Sequence, residues 1–286
     1  MNECLSSSAI GKSRRLARLL SEGRMIIVPV DDSLIFGPFN GLMAINNTLD
    51  RISKADPNAI LGYKGSLSIL KSSTIPCILN ITASTLLGNH IKKIMTGSIL
   101  DAIRLNAECV AVHVNYTSEF ENEMIKQLAE CVNEADLYGM PVLAISYPRK
   151  SLDGKDYNYD DWKLNRKDEY TDLVSHCVRI SAELGADIIK TQFTGDAESF
   201  KKVVDSALGK PVVIAGGPLV SVWESYSNAK AAIEAGAAGI SFGRNVFNSD
   251  SIEAYLEGIR EIVFNGAEVE QAVQVYERMK DCVKLD

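Results

Sequence analysis

The sequence predicts an α/β fold, a closed (β/α)8 barrel with a helix before the first strand and extra helices after the last. Three observations predict it. Eight short segments rich in Val and Ile recur along the chain. Amphipathic helical patterns separate most of them. No shift in composition marks a boundary, so residues 1–286 read as one domain. Continuous apolar runs of four to seven residues fit parallel strands covered on both faces. A doubly wound open sheet is the alternative. It calls for G-x-G-x-x-G after the first strand, and "VDDSLIFGPFNG" is not that turn.

The N-terminal segment "MNECLSSSAIGKSRRLARLL" reads as a polar arm followed by an amphipathic helix over Ser13–Ser21. It lacks the apolar stretch of a signal peptide. The strand segments start at Met25, Ala59, Pro76, Cys109, Pro141, Ala186, Pro211 and Ala238. Helical spacing is clear over Glu119–Tyr138, Tyr170–Leu184, Ala197–Leu208 and Ala229–Ala235. Ile252–Val283 holds two more helices, broken at Asn265-Gly266. Pro148–Tyr170, after the fifth strand, is too long and polar for an ordinary βα loop. It reads equally as a surface excursion or as a lid over the C-terminal rim.

A net charge of −7 argues against a nucleic-acid partner. No run is long enough to span a bilayer. The six cysteines (Cys4, Cys77, Cys109, Cys131, Cys177, Cys282) form no C-x-x-C pair and read as reduced thiols, which fits a cytoplasmic protein. His90, His113 and His176 show no ligand spacing, so no metal is expected.

In this fold the strand ends converge on one rim, where barrel active sites lie. Asp31 and Asp32 follow strand one, Lys64 strand two, Asn80 and Thr82 strand three, His113 and Asn115 strand four. Tyr147 follows strand five and Lys190 strand six. Gly216-Gly217 and Gly243-Arg244 follow strands seven and eight, where many barrels bind phosphate through backbone N–H groups. Arg244 would add a charge-assisted fork. An amine in "ADIIKTQ" must reach water, pair, or react. A ketone bound beside it would give an iminium, an electron sink. Position alone leaves three options for Lys190: that nucleophile, an ion pair with Asp31, or a phosphate contact. Lys64 is an equally placed rival. Asp31 and Tyr147 are candidates for proton transfer. His113 reads as a hydrogen-bonded structural residue.

From about Met25 to Phe247 the chain resembles the DhnA/LacD-like class I aldolases. This group includes archaeal-type fructose-bisphosphate aldolases, 2-amino-3,7-dideoxy-D-threo-hept-6-ulosonate synthases and an autoinducer-2 phosphate thiolase. "VPVDDSLIFGPFNGL", "SYPRK", "ADIIKTQFTGDAESF", "VVIAGGP" and "GAAGISFGRNVF" carry the resemblance. It implies a cofactor-free Schiff base on Lys190, with Tyr147 and Asp31 moving protons. Gly216, Gly217, Gly243 and Arg244 would hold the phosphate of a small sugar substrate, and Asp32, Ser33 and Arg149 would complete the binding site. It also implies a homo-oligomer. The family usually has Asp-His-Gly where this chain has Asp31-Asp32-Ser33. That departure and the long loop point away from fructose bisphosphate and toward a different acceptor, such as an amino-aldehyde. An acyl-transferring thiolase and a non-catalytic phosphate-binding barrel are the remaining alternatives.

Overall fold

The computed structural model describes residues 6–39, 41–70 and 73–283. Eight parallel strands close into a barrel: β1 (Met25–Pro29), β2 (Ala59–Gly62), β3 (Cys77–Asn80), β4 (Cys109–Tyr116), β5 (Val142–Pro148), β6 (Ile188–Thr191), β7 (Val212–Ala215) and β8 (Gly239–Ser241). Each lies in one of the eight apolar segments. Closure runs through β1, which pairs Met25 with Gly239 of β8 and Ile27 with Ala59 of β2.

The period-2 geometry of the strands divides their side chains between two cores. Met25, Ile27, Leu61, Ile78, Ala111, Leu143, Ile145, Ile188 and Val213 fill the barrel interior. Ile26, Val28, Ile60, Val110, Val112, Ala144, Ile189 and Ile214 face outward into the larger core beneath the helices. Both sets are buried, which is why the strands read as unbroken apolar runs rather than alternating ones.

The bottom of the barrel is sealed by the first helix, Ser7–Leu19, whose Leu16 and Leu19 join the interior core along with Leu20. Lys12 reaches Asp187, at the foot of β6, at 3.0 Å. This helix starts six residues before the predicted Ser13. The Ser6 side chain caps it by accepting from Ala9 N, and so extends it through a stretch that reads as a polar arm. The two C-terminal helices are Ile252–Val263 and Val269–Val283. They part at the predicted break, where Gly266 takes φ +70°.

Pro148–Tyr170 is not a featureless loop. It folds as an antiparallel hairpin, Lys150–Leu152 with Lys155–Tyr157, followed by a short helix, Asp160–Asn165. Of the cysteines inside the described residues, Cys109, Cys131 and Cys177 are buried free thiols and Cys77 is half-buried. Cys4 and the side chain of Cys282 lie outside what the structure describes. Among the described helices, none is long and apolar enough to cross a membrane.

Candidate active site

The strand parity that fills the barrel also aims the polar side chains at its top. Asp31 lies two steps beyond Pro29 and four beyond Ile27. Tyr147 lies two beyond Ile145, and Lys190 two beyond Ile188. Each therefore continues an inward-facing row past the last apolar layer. They meet in a cavity of about 100 Å³ at the C-terminal rim, lined also by Asp32, His90, His113, Arg149, Gly216, Gly217, Ser241, Gly243 and Arg244. A groove of about 480 Å³ shares Phe36, Arg149, Gly216, Gly217 and Arg244 with it and widens the site toward solvent. A larger cavity, about 580 Å³, lies at the other end of the barrel among Arg18, Asn58, Pro76 and Arg260. There Arg260 is already spent on Glu257 and on the carbonyls of Ala55 and Asp56.

Lys190 is 7% exposed. Among the described residues no carboxylate stands at ion-pairing distance from it. The Asp31 carboxylate instead accepts from Asn80 Nδ2 at 2.9 Å, and Asn80 Oδ1 in turn accepts from Thr82 N and Oγ1. The expected alternative of an Asp31–lysine pair is thus not formed. Tyr147 stacks edge-on against His113, with ring centroids 5.1 Å apart, and Arg149 lies 5.7 Å over its ring. Burial raises the Tyr147 phenol above its ordinary range, more than Lys190 and Arg149 lower it. It remains a proton donor at neutral pH. Burial, then the nearby cations, drive His113 well below the ordinary imidazole range. Its Nε2 is buried without a protein partner. His113 is therefore neutral and faces the cavity.

The glycine turns are built for close approach. Gly217 has φ +65°, and a Cβ on Gly243 would stand 2.7 Å from the Pro29 carbonyl oxygen. Buried Asn245 ties the two turns together: its Nδ2 donates to the carbonyls of Gly216 and Pro218, and its Oδ1 accepts from Val220 N. Arg244 Nε is 3.3 Å from Asp32 Oδ2. Burial and the adjacent Asp31 raise Asp32 above the ordinary carboxylate range.

Two expectations need correction, and one residue was not foreseen. Lys64 is no rival: the chain turns at Tyr63 into a short helix, and the lysine side chain, more than half exposed, pairs with Asp101 at 2.7 Å outside the cavity. Ser33 begins the turn after Asp32 and does not line the cavity. The second buried amine is Lys93, on the loop after β3, at 2% exposure. Its Nζ donates to Ser84 Oγ at 2.6 Å. Ser84 Oγ donates to the His90 carbonyl and lies 3.3 Å from His90 Nδ1. Arg149 Nη1 lies 3.1 Å from His90 Nε2. With Arg149 donating to Nε2, the proton of a neutral His90 belongs on Nδ1, facing Ser84. Burial pulls Lys93 down to about 7 and His90 down to about 3. Arg149 is also held by Asn158 Oδ1 and lies 3.5 Å from Asp156. The hairpin therefore reaches the rim through its own side chains.

Among the described residues no cluster of His, Cys, Asp and Glu fits a metal ion.

Comparison with known proteins places this geometry in context. Residues 25–249 match the model of the DeoC/LacD family aldolases. The chain is 35% identical to 2-amino-3,7-dideoxy-D-threo-hept-6-ulosonate synthase of Halobacterium salinarum, covering 92% of this chain and 95% of that protein. It is 30% identical to 3-hydroxy-5-phosphonooxypentane-2,4-dione thiolase of Klebsiella pneumoniae, over 94% and 87%. An archaeal fructose-1,6-bisphosphate aldolase, solved with its catalytic lysine bound to the carbinolamine intermediate of the substrate, aligns at 25% identity. That alignment has a TM-score of 0.77 and covers 88% of this chain and 99% of the other.

Proposed function

This chain belongs to the DeoC/LacD aldolase family and is a class I, Schiff-base-forming aldolase; from that premise we propose that Lys190 is its nucleophile. We take residues 1–286 as one barrel carrying one such site. The observation that carries the reading is the shared cavity. One inward amine stands there with a phenol, a carboxylate and two glycine turns.

The sequence of steps follows from what each group can do. Gly216, Gly217, Gly243 and Arg244 hold the phosphate of a ketose phosphate or of dihydroxyacetone phosphate. The neutral amine of Lys190 adds to the ketone carbon, and the carbonyl oxygen becomes the hydroxyl of a carbinolamine. Tyr147 protonates that hydroxyl, which leaves as water, and the nitrogen lone pair forms the iminium C=N bond. In the cleavage direction Asp31 accepts the proton of the hydroxyl on the carbon to be released. The carbon–carbon electron pair moves into the iminium to give an enamine, and an aldehyde departs. Condensation is the reverse.

The acceptor we propose is an aldehyde carrying an amino group. The Asp31-Asp32 pair adds a second carboxylate to the rim. The relatives at 35% and 33% identity are synthases of a 2-amino sugar acid. Assaying fructose 1,6-bisphosphate cleavage beside condensation of dihydroxyacetone phosphate with a panel of aldehydes, aspartate semialdehyde among them, tests this. Turnover is expected with the amino-aldehyde and only slow cleavage of the bisphosphate. Fast, selective bisphosphate cleavage would overturn the acceptor assignment. Support for a small phosphorylated substrate comes from the glycine turns; the cytoplasm and a homo-oligomer are its proposed setting.

A further inference from the structure

Asp32 stands in the wrong place for a simple phosphate site. Its carboxylate lies 3.3 Å from the Nε of Arg244, the arginine that directly follows Gly243 in the second glycine turn. A phosphate dianion arriving at Gly216, Gly217 and Gly243 meets an arginine already paired, and a carboxylate beside it. One guanidinium cannot neutralise a carboxylate and a dianion together, and like charges brought together in a partly buried site repel. Three responses are open. The anion stays out, Asp32 swings away, or Asp32 takes a proton.

The surroundings favour the third. Asp32 is in the first turn of the helix Asp32–Phe36, so its backbone is fixed close to the rim. Its neighbour Asp31 accepts from Asn80 Nδ2 at 2.9 Å. The facing cations are Arg244, Lys190 and Arg149. Arg149 is occupied by His90, Asn158 and Asp156. The remaining neighbours that sense Asp32, Tyr63 and Tyr147, are buried phenols held neutral. Asp32 already sits above the ordinary carboxylate range, from burial first and Asp31 second. A dianion moves it in the same direction.

We propose that Asp32 couples phosphate binding to proton uptake: by taking a proton it releases Arg244 to the incoming phosphate, and so sets the pH range over which the substrate is held. Resting on the phosphate reading above, the inference adds a role for the residue that departs from the family's Asp-His-Gly. The exchange balances. One proton moves from solvent to the Asp32 carboxylate, and the Arg244 pairing moves from Asp32 to the phosphate oxygens.

Sulfate is the probe, since it remains a dianion throughout the neutral range and carries no titration of its own. Calorimetric titration of the full-length protein in two buffers of different ionisation enthalpy counts protons taken up per sulfate bound. The expected result for the wild type is uptake approaching one proton per sulfate, with affinity falling about tenfold per pH unit on the alkaline side. Asp32→Asn is expected to bind sulfate at least about tenfold more tightly at pH 8, with no uptake and a flat pH dependence. Asp32→Ala guards against a carboxamide contact to Arg244 and is expected to behave alike. Equal uptake in wild type and variants overturns the coupling. Weaker binding by both variants also overturns it, and makes Asp32 a strut that orients Arg244. Failure of sulfate and dihydroxyacetone phosphate alike to bind any of the three proteins removes the phosphate site itself, and the coupling with it.

Discussion

Arg244 and Lys93 stand over the same barrel mouth and are treated in opposite ways. On the β7–β8–β1 side the cation meets a carboxylate at 3.3 Å, and the loops are short turns tied by Asn245. On the β3–β4–β5 side the cation meets only a hydroxyl, Ser84 Oγ at 2.6 Å, and two histidines held neutral by burial. In the closed ring β3 lies four strands from β7 in either direction, so the two arrangements face each other across the site. The difference teaches how one fold supplies two environments. Paired charge beside two glycine turns suits an anion anchored by its phosphate. A desolvated, uncompensated amine next to neutral imidazoles suits groups that must change protonation near neutral pH. Tyr147, at the end of β5, joins the second environment to Lys190.

The comparison breaks most sharply at Tyr147. If the second side handles protons, Tyr147→Phe lowers kcat by roughly 10²–10⁴-fold, the usual range for a general acid, and leaves sulfate affinity unchanged. An equal loss in sulfate binding would merge the two sides into one.

Lys93 sharpens it on stability. In the unfolded chain the amine holds its proton to about pH 10.4; in the fold it loses it at about 7. Between those values the unfolded state binds more protons, so burial of Lys93 makes wild-type stability rise with pH. Lys93→Met lacks that contribution. Denaturant unfolding from pH 7 to pH 10 is expected to show wild type gaining on the variant by on the order of 1 kcal/mol per pH unit, a few kcal/mol in all. Parallel curves would show that the amine is not desolvated.

The strands were legible because burial on both faces writes an unbroken apolar composition locally, and the ends of barrel strands converge on one rim. That is why Lys190, Tyr147, Asp31 and the glycine turns fell on one rim. Lys64 was misread because strand order does not say where a loop turns: Tyr63 starts a helix at once and carries the lysine outward to Asp101. Lys93 was invisible for the opposite reason. In "HIKKIM" the natural reading puts Ile94 inside and the lysines out, yet Ile94 is 52% exposed and Lys93 is 2% exposed. A local inversion of the hydrophobic rule, sustained by Ser84 and His90, is the kind of conflict that functional sites retain. The hairpin after β5 escaped notice since its strands are three residues long and polar.

The central claim is that, of the two buried amines at this rim, Lys190 is the one that reacts. Incubation with dihydroxyacetone phosphate and borohydride reduces an iminium to a stable secondary amine, and peptide mass spectrometry locates it. The account predicts a single adduct on Lys190, absent in Lys190→Ala and retained in Lys93→Met and in Lys64→Ala. An adduct on Lys93 in the wild-type protein, or an adduct surviving Lys190→Ala, would contradict it.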